Sequence, residues 1–305
     1  MRFGVRLLAS VLLLTISMPI AVAQAAVDTM TVVLNASDTA GVADTNVVVT
    51  ALSGAVVDPG YTGTVHFTSS DSAAVLPGDY MFTGGDAGTH TFNVTFKTAG
   101  TQSVTATDTV DSPITDTAST TVAAGPVASV DMVGTSIASL ASGSTRDLTA
   151  TVKDAYGNPI DGQAVAFSQI AGAGSLDNLD SESTNPSGVA TDMVTGDLAG
   201  SVTAQAAVGL ITDSVTFSVV AGPVDHLTLA PASASIAAGG SQAYTTTAFD
   251  AAGNSIGNVS DTATLSITAT GSCTEPDCTA TSVGTHTVTT SYSGKTATAT
   301  LSVGN

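Results

Sequence analysis

A repeat of roughly 97 residues is the strongest constraint on what this 305-residue chain can fold into. Ala124-Gly125-Pro126-Val127 recurs 97 residues later as Ala221-Gly222-Pro223-Val224. Asp154-Ala155-Tyr156-Gly157-Asn158 recurs 96 residues later as Asp250-Ala251-Ala252-Gly253-Asn254. A third echo sets Gly88-Thr89-His90-Thr91 beside Gly284-Thr285-His286-Thr287, with Leu198-Ala199-Gly200-Ser201 as a reduced form. On that alignment His90 and His286 share one place in the repeat. Self-similarity at a fixed period means tandem units of one supersecondary plan. Proline lacks an N–H and fixes φ, so Gly-Pro stops a central strand and marks a unit boundary. The units are expected at residues 24–124, 125–221 and 222–305. Junctions this short favour a stiff, rod-like array.

Within each unit the hydrophobic period is two. Thr296 to Val303 alternates without a break, and so do Phe92, Val94 and Phe96, and Val215, Phe217 and Val219. One apolar and one polar face make a half-buried antiparallel strand. Several such runs per unit, separated by Gly, Asp, Pro and Asn turns, are the pattern of an immunoglobulin-like β-sandwich. The expected fold class is therefore all-β, three tandem immunoglobulin-like sandwiches after a cleaved leader. Asp-x-x-Gly-Asn reads as a surface turn, because Asp bonds nearby N–H groups and Gly and Asn tolerate positive φ. The first unit lacks this turn and is the divergent one.

The leader is residues 1–23. Arg2 and Arg6 precede an apolar run over residues 7–16, too short to span a bilayer. Ala21-Val22-Ala23 offers small residues for signal peptidase, with cleavage after Ala23. Export to the cell surface or the medium follows from that reading, without a membrane anchor after cleavage. Losing Arg2 and Arg6 leaves four basic residues against 25 acidic ones, a net charge of −21. Such a charge repels nucleic acid and anionic membranes. A hydrophobic content of 43% argues against disorder.

With these elements in place, residues 127–221 resemble a bacterial Ig-like domain of the invasin/intimin type (group 1). The resemblance rests on Leu148-Thr149-Ala150-Thr151-Val152-Lys153-Asp154-Ala155-Tyr156-Gly157-Asn158-Pro159-Ile160, on Val165-Ala166-Phe167 and on Gly188-Val189-Ala190-Thr191. In the first unit, Tyr61 to Asp71 and Tyr80 to Thr107 resemble repeats of large bacterial surface proteins. The third is similar to a related repeat carrying a cysteine-bounded loop. The resemblance implies a stalk or spacer of a surface or adhesion protein, whose partner is an unknown surface protein or a glycan. Invasin-like proteins carry an upstream barrel that this sequence does not show, so it reads as a short secreted protein or as part of a larger surface assembly.

Residues that could carry chemistry are few. Cys273 and Cys278 are the only cysteines, and in an exported protein an even pair reads as a disulfide. A metal or redox role lacks further ligands or Cys-x-x-Cys spacing. Asp154, Asn158 and Asp161 are weak calcium candidates, as are Asp108, Asp111 and Asp116; calcium needs about six to eight converging oxygens. His66, His90, His226 and His286 form no zinc motif. No nucleophile or phosphate-loop motif is present, so no cofactor and no catalysis are expected. The rival function is carbohydrate binding, but the chain has no Trp and five Tyr, and Tyr156 alone is no aromatic platform.

Overall fold

The computed structural model describes residues 26–132, 138–268 and 270–305. The expected leader and its cleavage position at Ala23 lie outside the described residues. Every regular element described is a strand, and no helix among the described residues is long and apolar enough to cross a membrane.

The chain divides into two compact units. The first comprises the residues up to Ala36, Ala43–Val94 and Ser103–Thr120. There Thr29–Val33 pairs antiparallel with Ala43–Ser53, and Thr64–Ser69 pairs with the strand ending at Asp108. Alternate residues point inward, and Met30, Val47, Val49, Val65, Phe82 and Val104 are buried. Phe67 and Phe92 meet edge to face at 4.7 Å, the geometry that ring quadrupoles prefer.

The second unit comprises Ser37–Val42, Thr95–Gln102 and Thr121–Asn305, and it holds two complete sandwiches. In the earlier one, Val127–Met132, Thr145–Asp154, Val189–Gly196 and Leu176–Asp177 form one sheet. Leu140–Ala141, Ile211–Val220, Gly200–Val208, Ala164–Ala171 and Ser181–Ser183 form the other. Their inward faces meet in a core built on Leu148, Val152, Val165, Phe167, Val202 and Phe217. Leu140–Ala141 runs parallel to Val219 and Val220, so the strand order closes as in an immunoglobulin-like fold.

The later sandwich repeats the plan with a shorter middle. His226–Ala230, Thr245–Phe249 and Ser255–Asn258 form one sheet. Ser233–Ala237, Lys295–Gly304, Gly284–Tyr292 and Thr264–Ile267 form the second. Ser241–Ala243, Asp277–Ala280 and Gly271–Thr274 make a small third sheet. Leu229, Tyr244, Cys278, Val288 and Leu301 fill the core. The expected all-β, tandem immunoglobulin-like architecture is what the structure has.

The third echo of the repeat needs correction. Gly88 O accepts the Ala51 N–H, as Gly188 O accepts the Val152 N–H. Gly88-Thr89-His90 therefore corresponds to Gly188-Val189-Ala190. Gly284-Thr285-His286 opens the next strand and corresponds to Gly200-Ser201-Val202. His90 and His286 thus occupy different places, on successive strands.

Candidate functional site

The Asp-x-x-Gly-Asn turns are the best-organised polar features of the chain. Asp154 ends a strand, and its Oδ1 accepts the N–H groups of Tyr156 at 2.8 Å and Asn158 at 2.9 Å. Gly157 takes φ +85° inside this loop, a conformation open to glycine at little cost. Asn158 Nδ2 donates to Asp154 Oδ2 at 2.7 Å. The same Oδ2 accepts the Gly125 N–H at 2.8 Å, which ties the turn to the Gly-Pro segment. Asp154 is 4% exposed and Asn158 is 7% exposed, so the expected surface turn is a buried one.

Asn158 also reaches the loop within residues 95–102. Its Oδ1 accepts the Ala99 N–H at 2.9 Å and its Nδ2 donates to Lys97 O at 2.7 Å. A neighbouring N–H and C=O must be met by one acceptor and one donor on a short planar group. A carboxamide has that pair and a second N–H for Asp154 Oδ2, whereas a carboxylate has no donor and a hydroxyl only one. Side chain, Gly-Pro segment and loop together form a latch.

The later sandwich repeats the latch bond for bond. Asp250 Oδ1 accepts the N–H groups of Ala252 and Asn254 at 3.0 and 2.8 Å. Asp250 Oδ2 accepts Asn254 Nδ2 and the Gly222 N–H, each at 2.8 Å. Asn254 Oδ1 accepts the Ala199 N–H at 2.7 Å, and Nδ2 donates to Asp197 O at 2.8 Å. This latch joins the two sandwiches of the second unit directly. The junction glycines are closely covered: a Cβ on Gly222 would lie 2.4 Å from Ser142 O and would displace it, and one on Gly125 would lie in tight contact, 3.0 Å from Ala40 O.

Electrostatics agree with this geometry. Burial pushes the Asp250 carboxyl up, but donors from Gly222, Asn254 and Ser142 outweigh it and bring it down to about 2. Burial likewise pushes Asp154 up, and Asn158, Gly125 and Tyr156 hold it below the ordinary carboxylate range. Both carboxylates are thus anions saturated by N–H donors.

The two latches differ in filling. Tyr156 packs so closely on Gly41 that a Cβ there would lie 2.5 Å from its ring, with Lys97 Nζ 5.9 Å from the ring centre. Ala252 stands at the equivalent position, and the space beside it is an open cavity of about 570 Å³.

The structure brings Asp154 and Asn158 together, while Asp161 makes none of the latch contacts. Asp108 accepts the Tyr61 hydroxyl and the N–H groups of Val110 and Asp111, whereas Asp116 accepts the Val32 N–H. Among the described residues no three His, Cys, Asp or Glu side chains gather around a point that could hold a metal. Cys273 and Cys278 are disulfide-bonded, directly opposite across a hairpin. His66 and His90 pair with Asp79 and Asp86, and His226 stacks on Phe249. His286 is buried, with Nδ1 3.0 Å from Thr268 O and Nε2 2.9 Å from Ser282 O.

The latch was missed in the sequence because its parts read as two separate echoes. The signal available was that Asn recurs with the Gly-Pro pair at nearly the same offset, although a turn needs only Asp and Gly.

Comparison with known proteins agrees with the architecture. The chain is similar to the structure of FdeC, a broadly conserved Escherichia coli adhesin, at 18% identity and a TM-score of 0.53, covering 90% of this chain and 97% of that one. That likeness shows the fold. Weaker likenesses are to invasin, a bacterial integrin-binding protein (19% identity, TM-score 0.40, 90% and 60% covered), and to the D00-D0 domain of intimin (17%, 0.34, 63% and 99%). No curated protein matches the chain. Residues 129–220 match the family model of the bacterial Ig-like domain (group 1).

Proposed function

We propose that the chain is a non-enzymatic, exported structural protein, a spacer of bacterial Ig-like modules in a surface or adhesion assembly. The observation that carries this reading is the latch that recurs between Asn254 and the Asp197–Ala199 loop. It uses polar groups to join successive sandwiches, and it works without a metal because each Asp carboxylate is met by N–H donors. The cavity beside it is lined by residues such as Asp177, Asp197, Asp225, Ser142 and Ser144, and its Asp250 carboxylate is held by the N–H donors of the latch. Tyr61 and Tyr244 are buried and Tyr80 packs in a cluster with Phe82, His90 and Phe92, which leaves Tyr156, 47% exposed, and Tyr292 on separate sandwiches and favours a spacer over an aromatic sugar platform. The adhesin description belongs to the FdeC structure and enters here as support.

Residual dipolar couplings on residues 24–305 test the spacer role. A single alignment tensor is expected to fit both sandwiches of residues 127–304. Two independent tensors would overturn the reading. Selective retention of the same chain on a glycan array would replace it with the carbohydrate-binding one.

A further inference from the structure

Three loops of this chain share one backbone frame, and two of them are occupied. In the first frame the Ala40 N–H donates to Ala123 O and the Gly41 N–H to Phe96 O, at 2.9 and 2.8 Å. In the second, Ser142 donates to Val220 O and Gly143 to Gly196 O, both at 2.8 Å. In the third, Ala238 donates to Gly304 O at 3.0 Å and Gly239 to Ala280 O at 2.8 Å. Gly41, Gly143 and Gly239 take φ of +82°, +79° and +82°. The adjoining loops end on Gly100, Gly200 and Gly284, all at positive φ. Residue for residue, Lys97, Asp197 and Thr281 correspond, and so do Ala99, Ala199 and Val283.

The first two loops offer their C=O and N–H to Asn158 and Asn254. Among the described residues no such amide covers Thr281 O and the Val283 N–H. Burial of the frame residue follows the same division: Ala40 and Ser142, beneath the junction glycines, are buried, whereas Ala238 is exposed. The third loop is also held in place beforehand. His286 faces Ser282 O at 2.9 Å, where Gln102 donates to Thr98 O at 3.3 Å in the first loop.

We propose that the face formed by Ala238, Gly239, Thr281 and Val283 is a docking surface for a further Ig-like module that presents an Asp-x-x-Gly-Asn turn. The inference rests on the spacer reading of the latch. The occupant is not a second copy of this chain. Asn158 and Asn254 are both engaged within their own chain, and the first compact unit has a tight hairpin pairing Ser53 with Val56 in place of that turn. The partner's chemistry is set by the receiver: one carboxamide, held by a neighbouring Asp, meets Thr281 O and the Val283 N–H together.

The test extends the full chain. Because Gly304 occupies the register of Ala123 and Val220, residues 125–221 appended directly after Asn305 set their junction glycine where Gly125 and Gly222 stand. Amide hydrogen exchange by NMR then reads Val283 before and after extension. Its exchange is expected to slow at least about tenfold, as for an N–H entering a stable hydrogen bond. Asn158→Ala within the appended copy alone is expected to abolish the slowing. Appending residues 222–305 instead supplies the Asp250–Asn254 turn and is expected to protect Val283 equally. No slowing in either extension, or slowing that survives the Asn→Ala change, overturns the proposal. Ala199 in the same spectra separates the two ideas: an unprotected Ala199 refutes the latch itself, and a protected Ala199 beside an unprotected Val283 refutes the docking surface alone.

Discussion

Asn254→Ala removes the amide that joins the two sandwiches of the second unit. Three side-chain bonds go with it: to the Ala199 N–H, to Asp197 O and to Asp250 Oδ2. The first two are neutral, and each contributes about 1 kcal/mol net. The third is made to a carboxylate and is worth about 1.5–3 kcal/mol. Ala199 is exposed, so water recovers part of the first bond. Asp250 keeps its bonds from Gly222, Ala252 and the Asn254 N–H, so its charge is not stranded. The expected loss is about 2–4 kcal/mol, measured by urea unfolding followed through the buried Tyr244. Hydrogen exchange at Ala199 is expected to rise, while the core strand around Val215 keeps its protection relative to global unfolding. Asn254→Asp sharpens the test. It keeps size and one acceptor but sets a carboxylate against Asp197 O and the Asp250 carboxylate, so it is expected to cost at least as much as alanine. A loss below about 0.5 kcal/mol in both variants, with Ala199 exchange unchanged, would refute the latch as an energetic link.

Three further outcomes are expected. Carbonyls of Thr268 and Ser282 raise the His286 pKa above its usual value, against the opposing effect of burial; its stabilisation is therefore complete below about pH 6.5 and lost as pH rises through the higher folded value. Melting of the wild type should fall across that window relative to His286→Gln, the residue found at the corresponding Gln102, and parallel pH profiles would sink the assignment. Reducing Cys273–Cys278 opens a short hairpin loop, which predicts a loss of roughly 2 kcal/mol by loop entropy; calorimetry showing no change on reduction would contradict it. Millimolar Ca²⁺ is expected to leave the melting temperature unchanged, since the Asp154 and Asp250 oxygens are occupied by N–H donors, and a rise of several degrees would restore the calcium reading of Asp154, Asn158 and Asp161.

The sandwiches were legible in the sequence because period-two runs such as Val215, Phe217 and Val219 bury alternate residues whatever their partners. The disulfide was legible because only two cysteines exist. The latch was not, for a physical reason. Asp and Gly satisfy the local demands of the turn equally in water or in a junction, so local chemistry leaves its environment open. What separates the two cases is Asn, whose amide is used fully only when an N–H and a C=O from 55 and 57 residues away face it. The mistaken pairing of His90 with His286 has a related cause. From Asn158 to Ala199 the earlier sandwich carries the strands Leu176–Asp177 and Ser181–Ser183, while the later one substitutes the cysteine hairpin on a shorter path to Val283. A fixed period therefore holds from the Gly-Pro segment to the turn and fails beyond it. Gly-Thr-His-Thr suits the start of any strand, so its recurrence near the expected offset carried no information about place. The parts of the repeat that keep their spacing are those that meet in the latch, because donor and acceptor there must stay within hydrogen-bond reach, whereas the loops between them are free to change length.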